Sequence, residues 1–223
     1  MTRIKICGIR EEAHALAVAE AGADFIGVVF APSRRQITPD RARHIASVIK
    51  KRNHHVEVVG VFVNMPATEV NKVADFCALD WVQLSGDEPW EYCHEITKPI
   101  IKAIRISPQS PNVILSAAKN LNAELAAGAK LLSTQKFIAL LDSQVEGTYG
   151  GTGLTFNWNL AQQVAKRFPI IIAGGLGSEN VAQAIEMVLP WGVDVSSGVE
   201  IEGVKDAAKI RAFIETVRQT DEH

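Results

Sequence analysis

Short apolar runs alternate along the chain with segments whose apolar residues recur every three or four positions. A run of four to eight apolar residues bounded by turn residues reads as a strand covered on both faces; the three-to-four spacing reads as the buried stripe of a helix. In order, Ile4–Cys7, Phe25–Phe30, Val56–Val63, Trp81–Leu84, Ile100–Ile104, Phe137–Leu141, Ile170–Ala173 and Val193–Val195 predict eight strands. Helical patterns lie between them. Arg10–Ala21 stops at Gly22, and Thr38-Pro39-Asp40 opens the next with a cap, a first-turn proline and an early acid. The stripe of that second helix is Ala42, Ile45, Ala46 and Ile49. Pro66–Ala78 carries Val70, Val73, Ala74 and Cys77 on one face, which makes Cys77 a small core hydrophobe. Pro89–Ile96, Asn159–Phe168, a helix capped by Ser178 and Val204–Arg218 complete the clear ones.

Eight strand–helix units in 223 residues predict an α/β fold, a (β/α)8 TIM barrel formed as one domain over residues 1–223. A doubly wound sheet is the alternative, because local pattern does not show closure. The stretch Ser107–Gln135 fits least well. Its Ser-Pro-Gln-Ser-Pro start reads as a loop, and Gly128 argues against one uninterrupted helix over Leu115–Leu132. It reads as an insertion around residues 107–135.

Composition narrows the function classes. Apolar residues make up 47% of the chain, enough for a continuous core, and the net charge of −2 offers no footprint for nucleic acid. No apolar run approaches the ~18 residues of a membrane span, and the N-terminus has no long apolar stretch of a secretion signal. Three cysteines, Cys7, Cys77 and Cys93, show no metal spacing, and a reduced cytoplasmic protein is the simplest expectation. The histidines form no metal or triad pattern.

In a parallel barrel, residues just after the strands meet at one rim, where barrel active sites lie. The pattern sends Cys7, Arg35, Ser85, Asp142, Gly174, Gly175, Ser196, Ser197 and Gly198 there. Gly174-Gly175-Leu176-Gly177 and Ser196-Ser197-Gly198 follow adjacent strands, where barrels often hold phosphate on backbone N–H groups; otherwise they are two ordinary turns. Cys7 is either packing or a base. A free thiol has a pKa of ~8.5, so a base role needs charge stabilisation, for which Arg34, Arg35 and backbone N–H groups are the candidates. Asp142 ends the apolar run FIALLD; it either caps the next loop or, half buried with a raised pKa, serves as a general acid. Arg34 and Arg35 are either solvated or hold a carboxylate in bidentate fashion.

The stretches KICGIR (5–10), GADFIGVVFAPSRRQIT (22–38), VGVFVN (59–64), VQLSGDEP (82–89), LLDS (140–143), YGGTGLTFNW (149–158), IIAGGLGSENV (171–181) and VDVSSGVE (193–200) run from one end of the chain to the other. Together they resemble the phosphoribosylanthranilate isomerase family of tryptophan biosynthesis. The resemblance implies an Amadori rearrangement of a small phosphoribosyl substrate without a cofactor, in a monomer or homodimer. It implies Asp142 as general acid, Cys7 as general base, Arg35 on the anthranilate carboxylate, and Gly174, Gly175, Ser197 and Gly198 on the phosphate. The chain departs from the family pattern at Ser85, where histidine is common. It departs again at Asn157, where aspartate is common, and at Leu154, where a basic residue is frequent. Two other readings stand beside it. One is a different sugar-phosphate barrel enzyme, for which Lys102 is the candidate Schiff-base lysine; the other is a catalytically weak phosphate-binding protein.

Overall fold

A computed structural model of the chain describes residues 1–52, 55–106, 114–131, 136–143 and 158–222. Eight parallel strands close into a barrel in sequence order: β1 Arg3–Cys7, β2 Phe25–Val29, β3 Glu57–Phe62, β4 Trp81–Leu84, β5 Ile100–Ile106, β6 Phe137–Ser143, β7 Ile170–Ile172 and β8 Gly192–Val195. β1 pairs with β8 from Arg3↔Gly192 to Ile6↔Val195, which closes the ring and removes both sheet edges. The doubly wound alternative is thereby excluded.

Helices α1 Glu12–Glu20, α2 Pro39–Arg52, α3 Ala67–Phe76, α4 Ile114–Leu131, α5 Trp158–Ala165, α6 Val181–Val188 and α7 Ala207–Asp221 cover the outside. The predicted stripe of α2 is buried as read, and Thr38 Oγ1 accepts from the backbone N–H of Arg41 at 3.4 Å. Cys77 lies one residue past α3, fully buried, with its thiol directed at the carbonyl of Pro39. Strand residues alternate between two apolar layers. One faces the helices; the other fills the barrel with Phe25, Val59, Trp81, Ile101, Ile138, Leu140, Ile171 and Ala173. Phe25 and Trp81 meet edge to face, 6.0 Å between ring centres, and plug the N-terminal end.

Several expectations are corrected. Pro89–Ile96 is not an α-helix; only a 3-10 turn forms over Glu91–Glu95. β5 and β6 are each two residues longer than read, so Arg105 pairs with Asp142 inside the sheet. Ser178 does not cap α6. The helix starts at Val181, and Asn180 pins the preceding turn by accepting from Gly177 N–H and donating to the Gly175 carbonyl. Nor does Gly128 interrupt the helix expected over Leu115–Leu132: α4 runs unbroken from Ile114 to Leu131. A Cβ on Gly128 would lie 2.5 Å from the Trp90 ring, so the glycine is a close-approach site rather than a breaker. Residues 107–113 and 132–135 of the expected insertion lie outside the described residues.

This gives a stability test. Helix propensity alone would make Gly128→Ala stabilising by ~1 kcal/mol. Overpacking against Trp90 costs ~1–3 kcal/mol, so Gly128→Ala is expected to lower the midpoint of denaturant unfolding. A rise would show that Trp90 yields easily.

Candidate active site

The barrel opens at the C-terminal ends of its strands into a cavity of about 720 Å³. Cys7, Arg35, Ser85, Asp142, Gly174, Gly175, Ser196 and Ser197 all line it, as the strand-end reading required. Gly198 does not; it lies behind the wall, its Cα packed against the Leu176 carbonyl. The departures Leu154 and Asn157 lie outside the described residues. Lys102 is turned away from the cavity. It is buried against the helix layer and pairs with Glu88 at 3.3 Å, and among the described residues no lysine lines the cavity.

The two glycine turns are neighbours. Gly174 and Gly175 have φ of +85° and +63°, a left-handed pair that a side chain would strain. Ser197 begins a 3-10 turn, Ser197–Val199, straight after β8. A turn of successive left-handed glycines beside a helical first turn is a concave donor site suited to an anion.

Cys7 and Asp142 occupy the cavity floor. Burial pushes the Cys7 thiol above the ordinary thiol range, with Lys5 and Lys205 pulling against it. The cations facing Cys7 are therefore not Arg34 and Arg35. Both arginines are committed to Glu200: Arg35 Nε to Oε1 at 2.7 Å and Nη2 to Oε2 at 2.9 Å, and Arg34 Nη2 to Oε2 at 2.8 Å. Burial, and next the neighbouring Asp194 carboxylate, raise Asp142 to about 6.

Behind these groups lies a set that the sequence reading missed. Lys5 is 1% exposed and pairs with Asp194 at 3.0 Å inside the barrel. Glu200 starts a hairpin of β9 Glu200–Ile201 and β10 Val204–Lys205, and Lys205 Nζ returns to Glu200 Oε1 at 2.8 Å. Burial works against the Glu200 charge, yet the hydrogen bonds from Arg35 and Lys205 hold its carboxyl below the usual range. Lys205 also donates to the Ser196 carbonyl, while Ser196 Oγ donates to the Cys7 carbonyl, tying the β8 turn to the β1 tip. Strand parity carried a signal for Lys5 and Asp194. Lys5 stands two before Cys7, and Asp194 is a lone charge in an apolar strand, so both share the inward face.

Among the described residues no histidine, cysteine and acid cluster forms a metal site, and no helix is long and apolar enough to cross a membrane.

The family model described as PRAI, N-(5'-phosphoribosyl)anthranilate (PRA) isomerase, matches residues 4–216. The chain is similar to N-(5'-phosphoribosyl)anthranilate isomerase of Dehalococcoides mccartyi, 45% identical over 99% of this chain and 98% of that protein. It is also similar to the crystal structure of phosphoribosyl anthranilate isomerase from Thermotoga maritima. That match has a TM-score of 0.81 and 37% identity, covering 98% of this chain and 100% of that one. A further crystal structure of a phosphoribosyl anthranilate isomerase, in complex with reduced 1-(o-carboxyphenylamino)-1-deoxyribulose 5-phosphate, matches with a TM-score of 0.78 at 36% identity, covering 98% and 100%. This chain is an enzyme of the N-(5'-phosphoribosyl)anthranilate isomerase family.

Proposed function

We propose that the chain carries out the Amadori rearrangement of N-(5'-phosphoribosyl)anthranilate to 1-(2-carboxyphenylamino)-1-deoxyribulose 5-phosphate, with Asp142 as general acid and Cys7 as general base. The observation that carries this reading is one cavity bordered by the half-buried Asp142 carboxyl, the buried Cys7 thiol, Arg35 and two adjacent glycine turns. The reaction needs that set: an acid, a base and anchors for two anions at opposite ends of the substrate. Backbone N–H groups of Gly174, Gly175 and Ser197, with Gly198 shaping the turn behind them, hold the phosphate. Arg35, fixed on one side by Glu200, offers its remaining Nη1 to the anthranilate carboxylate.

Asp142 gives its proton to the furanose ring oxygen as the C1′–O bond breaks and the nitrogen lone pair forms a Schiff base. Cys7 thiolate then takes the proton from C2′, and that electron pair neutralises the iminium to give an enolamine. The enolamine tautomerises to the 2′-ketone. The sugar is oxidised at C2′ and reduced at C1′ within one molecule, so no external redox partner is needed.

The reactive form pairs a protonated Asp142 with an ionised Cys7, a minority arrangement given the raised thiol and an acid at about 6. The majority arrangement has the same number of protons, moved from Asp142 to Cys7. The profile of kcat/KM should therefore be flat from about pH 6 up into the thiol range. Below it both groups are protonated and above it neither is, so the rate falls on each side.

The test is the loss of anthranilate-type fluorescence when purified protein meets freshly made phosphoribosylanthranilate, with indole-glycerol-phosphate synthase added to draw off product. Protein-dependent loss above spontaneous hydrolysis is expected. Cys7→Ala should remove it, leaving ~10²-fold less activity or below. A folded wild-type protein without turnover, or Cys7→Ala with wild-type turnover, would overturn the assignment.

A further inference from the structure

The barrel floor holds a buried ion pair that the proposed chemistry does not itself use. Lys5 Nζ and Asp194 Oδ1 are 3.0 Å apart, both within the barrel, on strands that pair only because the ring closes. Isolated, each charge would be costly there, and replacing such a pair with apolar side chains is often neutral or stabilising. Its location suggests a use. Lys5 sits directly below Cys7 on the same inward face of β1. A Cβ placed on Gly27, across from them on β2, would touch Cys7 Sγ at 2.8 Å and Lys5 Nζ at 3.2 Å, so sulfur and ammonium crowd one point. The carboxylate end of the pair, Asp194, opens onto the cavity wall that Asp142 shares.

We infer that the Lys5–Asp194 pair is a fixed dipole that polarises the site, its ammonium stabilising the Cys7 thiolate and its carboxylate keeping the proton on Asp142. Lys5 and Asp194 are positioning residues: they act through Cys7 and Asp142. This inference rests on the acid–base reading above and deepens it. One charge of either sign alone would move both groups the same way: a cation favours both anions, and an anion opposes both. Only a pair with its poles toward different partners helps the base ionise and the acid stay protonated.

The charges around each group agree with this. After burial, the strongest influence on Cys7 is Lys5, which favours the thiolate, ahead of the opposing Asp194 and the favouring Lys205. After burial, the strongest influence on Asp142 is Asp194, which favours the proton, ahead of the Ser143 backbone and the opposing Lys5 and Arg105. Burial works against the Lys5 charge, yet Asp194 and Cys7 together hold its ammonium above the ordinary lysine range.

The test reads the Cys7 thiolate directly, without substrate. Iodoacetamide alkylation of the intact protein is followed against pH, and Cys7 is identified by peptide mass spectrometry. Cys77 and Cys93 are fully buried away from the cavity that Cys7 lines, so they react late. In Lys5→Met the alkylation midpoint should rise by about one pH unit or more, and kcat/KM at neutral pH should fall about tenfold per unit. Lys5→Arg should restore both in part. In Asp194→Asn the midpoint should move down instead, and the acid limb of the activity profile should move to lower pH. Opposite signs are the signature, since a merely structural role would move both variants alike. Any variant that folds is informative, because each carries its own predicted sign. Midpoints that stay at the wild-type value, or that shift in the same direction in the two neutral variants, would falsify the inference. Midpoints that separate in a protein without isomerase activity would instead overturn the proposed reaction and leave the pair's effect standing.

Discussion

Asp142→Asn is expected to lose turnover and gain stability in the same protein. The amide keeps the shape and hydrogen-bonding reach of the carboxyl but has no proton to give the ring oxygen. General acid catalysis contributes ~10²–10⁴-fold, and a loss of that size in kcat is expected. The stability effect has the opposite sign. Burial and Asp194 raise the Asp142 pKa from 3.8 to about 6, so the folded chain holds a proton that the unfolded chain gives up. Stability then falls as pH rises through that window, and at neutral pH the ionised carboxylate costs about 3 kcal/mol at ~1.4 kcal/mol per pH unit. The side chain partly faces the cavity, which trims this. Asn removes the cost. Thermal unfolding of the two proteins should show the variant melting higher at pH 7, with the difference shrinking below about 6 and gone below 3.8, where Asp142 is protonated in both states. A variant that melts lower at every pH would show that the carboxylate stabilises the fold and is not a strained acid.

Gly198→Ala is expected to damage phosphate binding although Gly198 does not line the cavity. Its missing side chain lets the turn after β8 rest on the turn after β7. An added Cβ would fall inside the van der Waals surface of the Leu176 carbonyl oxygen, 3.0 Å from its carbon and 3.1 Å from Gly177 Cα. All three are backbone, so nothing flexible can move aside, and the two halves of the anion cradle must separate. Overpacking of this kind costs ~1–3 kcal/mol in stability. The same displacement draws N–H donors away from the phosphate, where each charged hydrogen bond is worth ~1.5–3 kcal/mol. KM should rise at least ~10-fold, as expected from the loss of one such bond. Inhibition by inorganic phosphate should weaken in step while inhibition by anthranilate stays as in wild type. Equal weakening of both inhibitors would mean that the whole mouth had distorted.

How much of this could be read along the chain depended on how local each cause was. The eight strands, the α2 stripe and the placing of Cys7, Arg35, Asp142 and the two glycine turns at one rim followed from periodicity and from residues at strand ends. Both signals live within a dozen residues of sequence, and a parallel arrangement carries every strand end to the same side. Helix starts were read less well. Ser178 had the right chemistry for a cap, but Asn180 does the turn's hydrogen bonding, because the glycine turn before it needs both an acceptor and a donor. Gly128 looked like a breaker because its reason, the Trp90 ring, arrives from another element.

By itself, the sequence determined the alternation of elements and which side chains stand at strand tips, since those depend on neighbours along the chain. Only the tertiary structure decided what those side chains face. Lys5 meets Asp194 across 189 residues and Arg35 meets Glu200 across 165. Parity can say that a residue points inward, but a partner is chosen when the ring closes and β8 is laid beside β1. The charges around Asp142 and Cys7 are therefore a product of closure, while the proposed acid and base themselves were already visible in the chain.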